Sequence, residues 1–386
     1  MTRLRAEWLN VPATQEVCRV LTEAGAQALF VGGCVRNTML GAPVSDIDIS
    51  TDAVPERVME LARAAGIKAV PTGIEHGTVT LVQGGIPHEI TTFRRDVDTD
   101  GRRATVAYSS CVEDDAARRD FTMNAIYARP DGTVLDPLGG LPDLHARRVR
   151  FIGRGSDRIR EDYLRSLRYF RFHAWYGDDA AGFDAEALDA IASNLDGLSR
   201  LSHERVGHEM LKLLAAPDPA PAVAAMRSTG ALGQFLPGAD DTALAPLVHL
   251  EGDAGAAPDP LRRLAALGGV DAKEALRLSK AQVRSVAQMT QAAGEGDGPA
   301  AMGYRLGETA ARDALLLRLA LLGAPWEAEA AEQIARGAAA RFPLKPADLM
   351  PRFTGPALGQ ELARLEQLWI DSGFALDRAA LLERAD

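Results

Sequence analysis

The segment FVGGCVRNTMLGAPVSDIDIST, Phe30 to Thr51, is compatible with few folds. Ala28 to Val31 reads as a short buried strand, and Gly32-Gly33 turns the chain into a helix over Arg36 to Leu40. Val44 to Ser50 then alternates like a strand, so Asp46 and Asp48 point to one face while Ile47 and Ile49 point to a core. Two carboxylates held that close are tolerated where a cation sits between them. Magnesium suits the pair, because this hard ion takes carboxylate oxygen together with substrate phosphate. A bare D-x-D is mostly a solvated turn, and a glycine pair mostly a tight one. Together they suggest more: backbone N–H groups at a helix start can approach a triphosphate, with Arg36 nearby to neutralise charge.

The following residues extend this unit. Pro55 to Ala65 is helical, and Gly77 to Val82 and His88 to Phe93 are strand-like about Gly84-Gly85. The result is a compact α/β unit with a mixed sheet. Glu89 lies on the neighbouring strand, either as a third carboxylate of the site or as an ordinary strand glutamate. RRDVDTDGRRATVAY, Arg94 to Tyr108, is polar and aperiodic and reads as a mobile loop. After about Leu141 helices dominate, with Ser156 as N-cap of a helix to about Trp175 and Ser202 as N-cap of one over Glu204 to Leu214. EGDAGAAPDP, Glu251 to Pro260, and AAGEGDGPAA, Ala292 to Ala301, read as exposed loops between helical blocks.

A chain of 386 residues is too long for one ordinary core, so several domains are expected. Cys18, Cys34 and Cys111 are too few and too scattered for a disulfide framework or structural zinc, and read as small core residues. The amino terminus lacks the apolar stretch of a signal peptide, and no apolar run is long enough to span a bilayer, so a cytoplasmic protein with no membrane partner is expected. The net charge of −10 argues against wholesale coating of nucleic acid, yet Arg147 to Arg171 holds nine arginines against Asp157, Glu161 and Asp162. One acidic chain therefore carries one basic strip.

The opening stretch is followed, in order, by RRDFTMNAI (Arg118 to Ile126), DPLGGLPDL (Asp136 to Leu144), EDYLRSLRYFRF (Glu161 to Phe172) and LSHERVGHEMLKLL (Leu201 to Leu214). The first stretch resembles the signature of the DNA polymerase β-type nucleotidyltransferases. The whole series resembles the five motifs of the bacterial class II tRNA nucleotidyltransferases, the CCA-adding enzymes. The match is dense over roughly the first 215 residues and loose beyond. The resemblance implies an α+β fold: a polymerase-β-like mixed-sheet head over 1–140, then an all-α neck carrying a nucleotide template over 141–214, body over 215–325 and tRNA-binding tail over 326–386. It implies template-independent addition of C, C and A to the tRNA 3′ end from CTP and ATP, with pyrophosphate released at two Mg²⁺ ions on Asp46 and Asp48. Gly32, Gly33 and Arg36 would bind the nucleotide, as would Arg119, while Asp120 would accept from the ribose 2′-hydroxyl.

The template helix permits a direct physical reading. Ile159, Tyr163, Leu167 and Phe170 make one apolar stripe, which groups Asp162, Arg165 and Arg168 on another face. Cytosine and adenine present an exocyclic amino donor beside an unprotonated ring nitrogen, whereas uracil and guanine present a carbonyl beside a ring N–H. An aspartate acceptor and an arginine donor one turn apart therefore fit C and A and mismatch U and G. Asp162 would accept from the amino group and Arg165 donate to the ring nitrogen, and the resemblance adds Arg168 and Arg171 as nucleotide contacts. It also places a flexible loop for the switch from C to A where Arg94 to Tyr108 lies. Two departures are local: Asn37 stands where the family often has Asp, and Tyr163 replaces a frequent proline and should propagate the helix.

The rival within the superfamily is a poly(A) polymerase, which often has a Gly-Arg-Arg-Phe stretch where this chain has PTGIEHGTVT, Pro71 to Thr80, and often a very basic tail. Partial enzymes that add only CC or only A are the other alternative. A fused His-Asp phosphohydrolase is not expected, since none of the seven histidines is followed by Asp. A catalytically dead RNA-binding relative is disfavoured by the intact acidic and arginine positions. A small-molecule nucleotidyltransferase would leave the helical remainder without a task. That remainder suits a tRNA acceptor arm gripped through phosphates, for which Arg277, Lys280, Arg284, Arg341, Lys345 and Arg352 are candidates. The sequence carries no signal of oligomeric state.

Overall fold

The computed structural model describes residues 2–100 and 103–385, apart from the side chains of 96–106. The chain packs as two compact units, one of Met1–Glu209 with Pro221–Phe235 and the other of Met210–Ala220 with Leu236–Asp386. No helix among the described residues is long and apolar enough to cross a membrane.

The first unit opens with α1 (Pro12–Glu23), β1 (Leu29–Val31), α2 (Gly33–Leu40), β2 (Ile47–Thr51) and α3 (Pro55–Ala64). Proline at the first helical position starts both α1 and α3, where its missing N–H costs nothing. Next come β3 (Lys68–Gly73), β4 (Thr78–Gln83), β5 (Ile86–Thr92), the hairpin strands β6 (Arg94–Asp100) and β7 (Arg103–Tyr108), and α4 (Val112–Ala117). The short strands β8 (Tyr127–Ala128) and β9 (Val134–Leu135) close a seven-stranded sheet of order β3-β4-β5-β2-β1-β8-β9. Among the described residues only β2 and β5 run parallel; the sheet is mixed, as the sequence implies. That pairing sets Asp48 opposite Glu89. Behind it, Leu29, Val31, Phe93, Ala116, Ala125, Tyr127 and Ile152 form one buried cluster.

Helices then take over: α5 (Leu141–His145), α6 (Gly155–Glu161), α7 (Leu164–Tyr176), α8 (Ala185–Ala192) and α9 (His203–Leu214). Phe121, Phe151, Tyr169 and Phe172 interlock, with Phe151 and Tyr169 stacked at 5.6 Å, and fix α7 against the sheet segment. The chain continues through α10 (Ala220–Ser228) and α11 (Ala231–Phe235). The second unit is all helical: α12 (Leu244–Asp253), α13 (Pro260–Leu267), α14 (Ala272–Ala275), α15 (Lys280–Gly294), α16 (Pro299–Leu306), α17 (Glu308–Leu322), α18 (Glu329–Ala339), α19 (Pro346–Leu349), α20 (Gly355–Asp371) and α21 (Arg378–Leu382). Its core includes Leu247, Leu250, Leu316 and Leu317 in one cluster and Leu365, Trp369 and Leu381 in another.

Four expectations need correction. The Arg94–Tyr108 stretch is an antiparallel hairpin with Arg94 opposite Tyr108, because ladder hydrogen bonds require no apolar alternation. Its tip, Gly101 and Arg102, lies outside the described residues. Asp100-Gly101, a common hairpin turn dipeptide, was the available signal. The helix expected from Ser156 to Trp175 is broken: Asp162 is extended at φ −151° and ψ 105°, and its carboxylate accepts the Leu164 N–H at 3.1 Å in place of continued helical bonding. Tyr163 therefore starts a new helix rather than propagating one, its ring packed so tightly on Gly197 that a Cβ there would fall 1.8 Å from the ring. Glu251, assigned to an exposed loop, belongs to α12 and is buried; the second such stretch reduces to the four residues between α15 and α16. Cys111 is exposed, while Cys18 and Cys34 are core residues.

Candidate active site

The glycine turn comes first. Gly32 has φ +70°, a conformation that favours glycine, and a Cβ there would lie 3.7 Å from Arg119 Nη1 and 3.9 Å from Asp48 Oδ2. Three separated stretches of sequence, Gly32, Asp48 and Arg119, thus converge on one spot at the start of α2. The first N–H groups of this eight-residue helix have no intrahelical partner, which suits them to an anion.

The carboxylates are arranged less symmetrically than alternation suggests. The strand begins at Ile47, so Asp46 stands just ahead of it, exposed, accepting a hydrogen bond from Ser45 Oγ at 2.7 Å. Asp48 is half-buried within β2, and Glu89 is exposed on β5 in register with it. Ile47 and Ile49 are buried as expected. Burial, with Glu89 and then Asp46 adding like charge, pushes the Asp48 carboxyl up to about 6 against the pull of Arg119 and Arg36. Among the described residues no three acidic, histidine or cysteine side chains form a ready-made metal cluster. The donor set still fits a magnesium-type ion, which is bound through one or two carboxylates plus substrate phosphate rather than by a complete protein cage.

Arg119 is aimed by a residue that the sequence reading missed. Asp115 is fully buried and takes hydrogen bonds from Arg118 Nε at 2.8 Å, Arg119 Nη2 at 2.9 Å, Tyr127 Oη at 2.8 Å and Ser50 Oγ at 3.3 Å. Its burial is more than offset by the two guanidinium groups, which hold the carboxyl down at about 2. Tyr127 Oη also accepts from Arg119 Nε at 3.0 Å, which leaves Nη1 as the end nearest Gly32. The signal was present: an aspartate at i with arginines at i+3 and i+4 in a helix-forming stretch.

The remaining candidates form a second, closed network. Arg36 is buried rather than open to solvent: Nη1 donates to Asn124 Oδ1 at 2.6 Å, Nη2 to Tyr176 Oη at 2.9 Å, and its guanidinium lies 4.1 Å from the Tyr176 ring centroid. Asn124 donates to Asp120 Oδ1 at 2.8 Å, and Asp120 Oδ2 accepts from Arg168 Nε at 2.9 Å and Nη2 at 2.5 Å. Although Asp120 is buried, Arg168 and these hydrogen bonds hold its carboxyl well below the usual carboxylate range. Glu209 on α9 holds Arg171 Nε at 2.5 Å and lies 3.7 Å from Arg168 Nη1. Asp120, a candidate for the ribose hydroxyl, is thus already bonded to Arg168, a candidate nucleotide contact.

Asp162 and Arg165 do not share a helical face. Asp162 sits in the break between α6 and α7, paired with Arg205 Nη2 at 2.6 Å. Arg165 is turned inward onto Glu161, the Arg158 carbonyl at 2.9 Å and the Arg118 carbonyl at 3.2 Å. The basic strip divides in the same way: Arg147, Arg148, Arg150, Arg154 and Arg160 are exposed, while Arg158, Arg165, Arg168 and Arg171 are engaged internally.

Comparison with known proteins is consistent with this arrangement. The model of the poly(A) polymerase head domain matches residues 28–150, and that described as a probable RNA- and SrmB-binding site of polymerase A matches 182–242. A mixed sheet bearing acidic side chains beside a glycine turn, followed by helices, resembles the nucleotidyltransferases of the polymerase β superfamily, a group that normally uses divalent metal. The chain is 41% identical over 224 residues to the CCA-adding enzyme of Geobacillus thermodenitrificans, covering 58% of this chain and 54% of that one. It is 43% identical over 186 residues to the human mitochondrial CCA tRNA nucleotidyltransferase 1, covering 48% and 43%. It thus spans about half the length of these curated relatives. A crystal structure of the Bacillus stearothermophilus CCA-adding enzyme in complex with CTP superposes with a TM-score of 0.73 at 29% identity over 96% of each chain. The Thermotoga maritima CCA-adding enzyme complexed with tRNA shares the fold, with a TM-score of 0.72 at 18% identity over 100% of this chain and 99% of that one. The chain is thus similar to CCA-adding enzymes in sequence over 58% of its length and in fold over 96% of it.

Proposed function

We propose that the protein adds C, C and A to the 3′ end of tRNA without a nucleic-acid template, using CTP and ATP and releasing pyrophosphate. The observation that carries this reading is the convergence of Gly32, Asp48 and Arg119 at the start of α2. It is supported by likeness to an enzyme crystallised with CTP and another complexed with tRNA. The α2 turn and Arg119 would receive the triphosphate. Asp46 and Asp48, with Glu89 as third carboxylate, would hold Mg²⁺, which when bound would supply polarisation for the attacking 3′-hydroxyl and charge neutralisation for the leaving pyrophosphate. The protein's own part is positioning and charge, as phosphoryl transfer requires.

Asp120 accepts at Oδ1 from Asn124 and the Phe121 N–H and at Oδ2 twice from Arg168, so it would take the ribose 2′-hydroxyl by giving up one of these bonds, Arg168 turning to the nucleotide. Asp162 would accept the amino group of C or A. Arg165, Arg168 and Arg171 complete the nucleotide contacts, Arg165 after leaving its inward partners. We assign a head to 1–140, a neck to 141–214, and a body and tail to 215–325 and 326–386 for the tRNA acceptor arm, acting in the cytoplasm. Poly(A) synthesis is the weaker reading, since the curated relatives cited above carry CCA names. Incubation with tRNA lacking its terminus, labelled CTP and ATP, followed by sequencing of product ends, should give CCA. Runs of A, or termination at CC, would overturn the assignment.

A further inference from the structure

We infer, resting on the reading of Asp162 as the base-reading acceptor, that Arg205 is a positioning residue that sets base choice by fixing the Asp162 carboxylate. Each oxygen of Asp162 has one partner. Oδ1 takes the Leu164 N–H at 3.1 Å and Oδ2 takes Arg205 Nη2 at 2.6 Å. A carboxylate held at both oxygens, one by backbone and one by guanidinium, cannot spin about its Cβ–Cγ bond. Each oxygen retains a further lone pair for a donor. The orientation matters because at the exocyclic position that Asp162 would read, C and A present a donor where U and G present an acceptor, a difference that a fixed acceptor reads.

The neighbouring arginine in sequence does not do this. Arg165 is only 13% exposed and is committed to Glu161 and two backbone carbonyls, while the Arg205 and Asp162 side chains are 41% and 28% exposed. Arg205 therefore meets Asp162 where an incoming base can reach it. One turn further along α9, Glu209 holds Arg171 and lies within ion-pair distance of Arg168. One face of α9 thus supports three side chains assigned to the nucleotide. A partly exposed ion pair adds little to stability, so loss of Arg205 should register in base choice and not in folding.

The test uses the full chain with tRNA lacking its terminus and compares kcat/KM for CTP and UTP in Arg205→Ala, Arg205→Lys, Asp162→Ala and the Asp162→Ala/Arg205→Ala double variant. Arg205→Ala should lower the CTP/UTP ratio about ten-fold or more, as loss of one oriented hydrogen bond does, with the melting temperature unchanged. Arg205→Lys should restore part of it. Competition by inorganic tripolyphosphate, which has no base, should be unaltered. If Arg205 acts through Asp162, the double variant should discriminate no worse than Asp162→Ala alone. An unchanged ratio in Arg205→Ala beside a fallen one in Asp162→Ala overturns the role of Arg205 alone, as do additive losses in the double variant. An unchanged ratio in Asp162→Ala overturns the reading of Asp162, and the role of Arg205 with it.

Discussion

The carboxylate group around Asp48 on the central strand β2 and the buried cluster around Glu251 treat carboxylate charge in opposite ways. Glu251 is 3% exposed and fully matched: Arg262 Nε donates to it at 2.9 Å and Arg263 Nη2 at 2.7 Å. The spare donors of the arginines go to Asp313 at 2.6 Å and to the carbonyls of Leu214 and Pro217 at 2.7 and 3.0 Å. Asp48 is half-buried beside two further carboxylates, and its carboxyl is pushed up to about 6. Buried charge that serves structure is compensated within the fold. Charge that serves a ligand is left short of cation, and the shortfall is the signal.

Several substitutions would test that contrast. Asp48→Ala should lower nucleotide incorporation by about a thousand-fold or more with the fold retained, since transition-state charge would lose its metal anchor; single-turnover assays measure this. Glu251→Ala should do the reverse, leaving the head's site intact but burying two unmatched guanidinium groups at a cost of about 3–5 kcal/mol. Urea titration of the full chain would record it, and a loss below 1 kcal/mol would contradict the assignment of Glu251 to a structural role.

Asp115→Asn spans both behaviours, because Asp115 is compensated like Glu251 yet aims Arg119 at the site. It should cost about 2–3 kcal/mol and raise KM for the nucleotide. Its carboxyl, held at about 2, lies below its ordinary value of 3.8, so the stabilisation is complete above that value and is lost as pH falls through about 2. The stability gap between wild type and Asp115→Asn should therefore close on acidification below pH 4. Asp48 has the opposite sign. A carboxyl raised to about 6 favours the folded state fully below 3.8 and loses that contribution as pH rises through 6. Metal-free Asp48→Asn should then be more stable than wild type at pH 8 by about 1–3 kcal/mol, and equal to it near pH 4. Differential scanning in chelator reads both limbs.

Much of the head was legible before any coordinates. The apolar run, glycine turn and apolar-acidic alternation specify β1, α2 and β2 through local preferences alone, and the structure places them within a residue or a few of the expected bounds. Proline at the starts of α1 and α3 acts equally locally. What escaped was not carried by the apolar period. Asp162 follows a helical pattern, yet it leaves the helix where its side chain takes the Leu164 N–H and Tyr163 packs on Gly197 from α8's far side of the sequence. The Arg94–Tyr108 hairpin escaped because its polar alternation carries no apolar period, although Asp-Gly was visible.

Residue order alone settled which types of chemistry this chain carries: a glycine turn, acidic side chains spaced for one strand face, and arginines spaced along helices. It could do so because strand and helix periods are properties of a few consecutive residues. Only the packed chain decided the partners. Arg36 went to Asn124 and Tyr176, and Asp162 to Arg205. Charge pairing depends on distances between segments scores of residues apart, and those distances exist only once the core has closed.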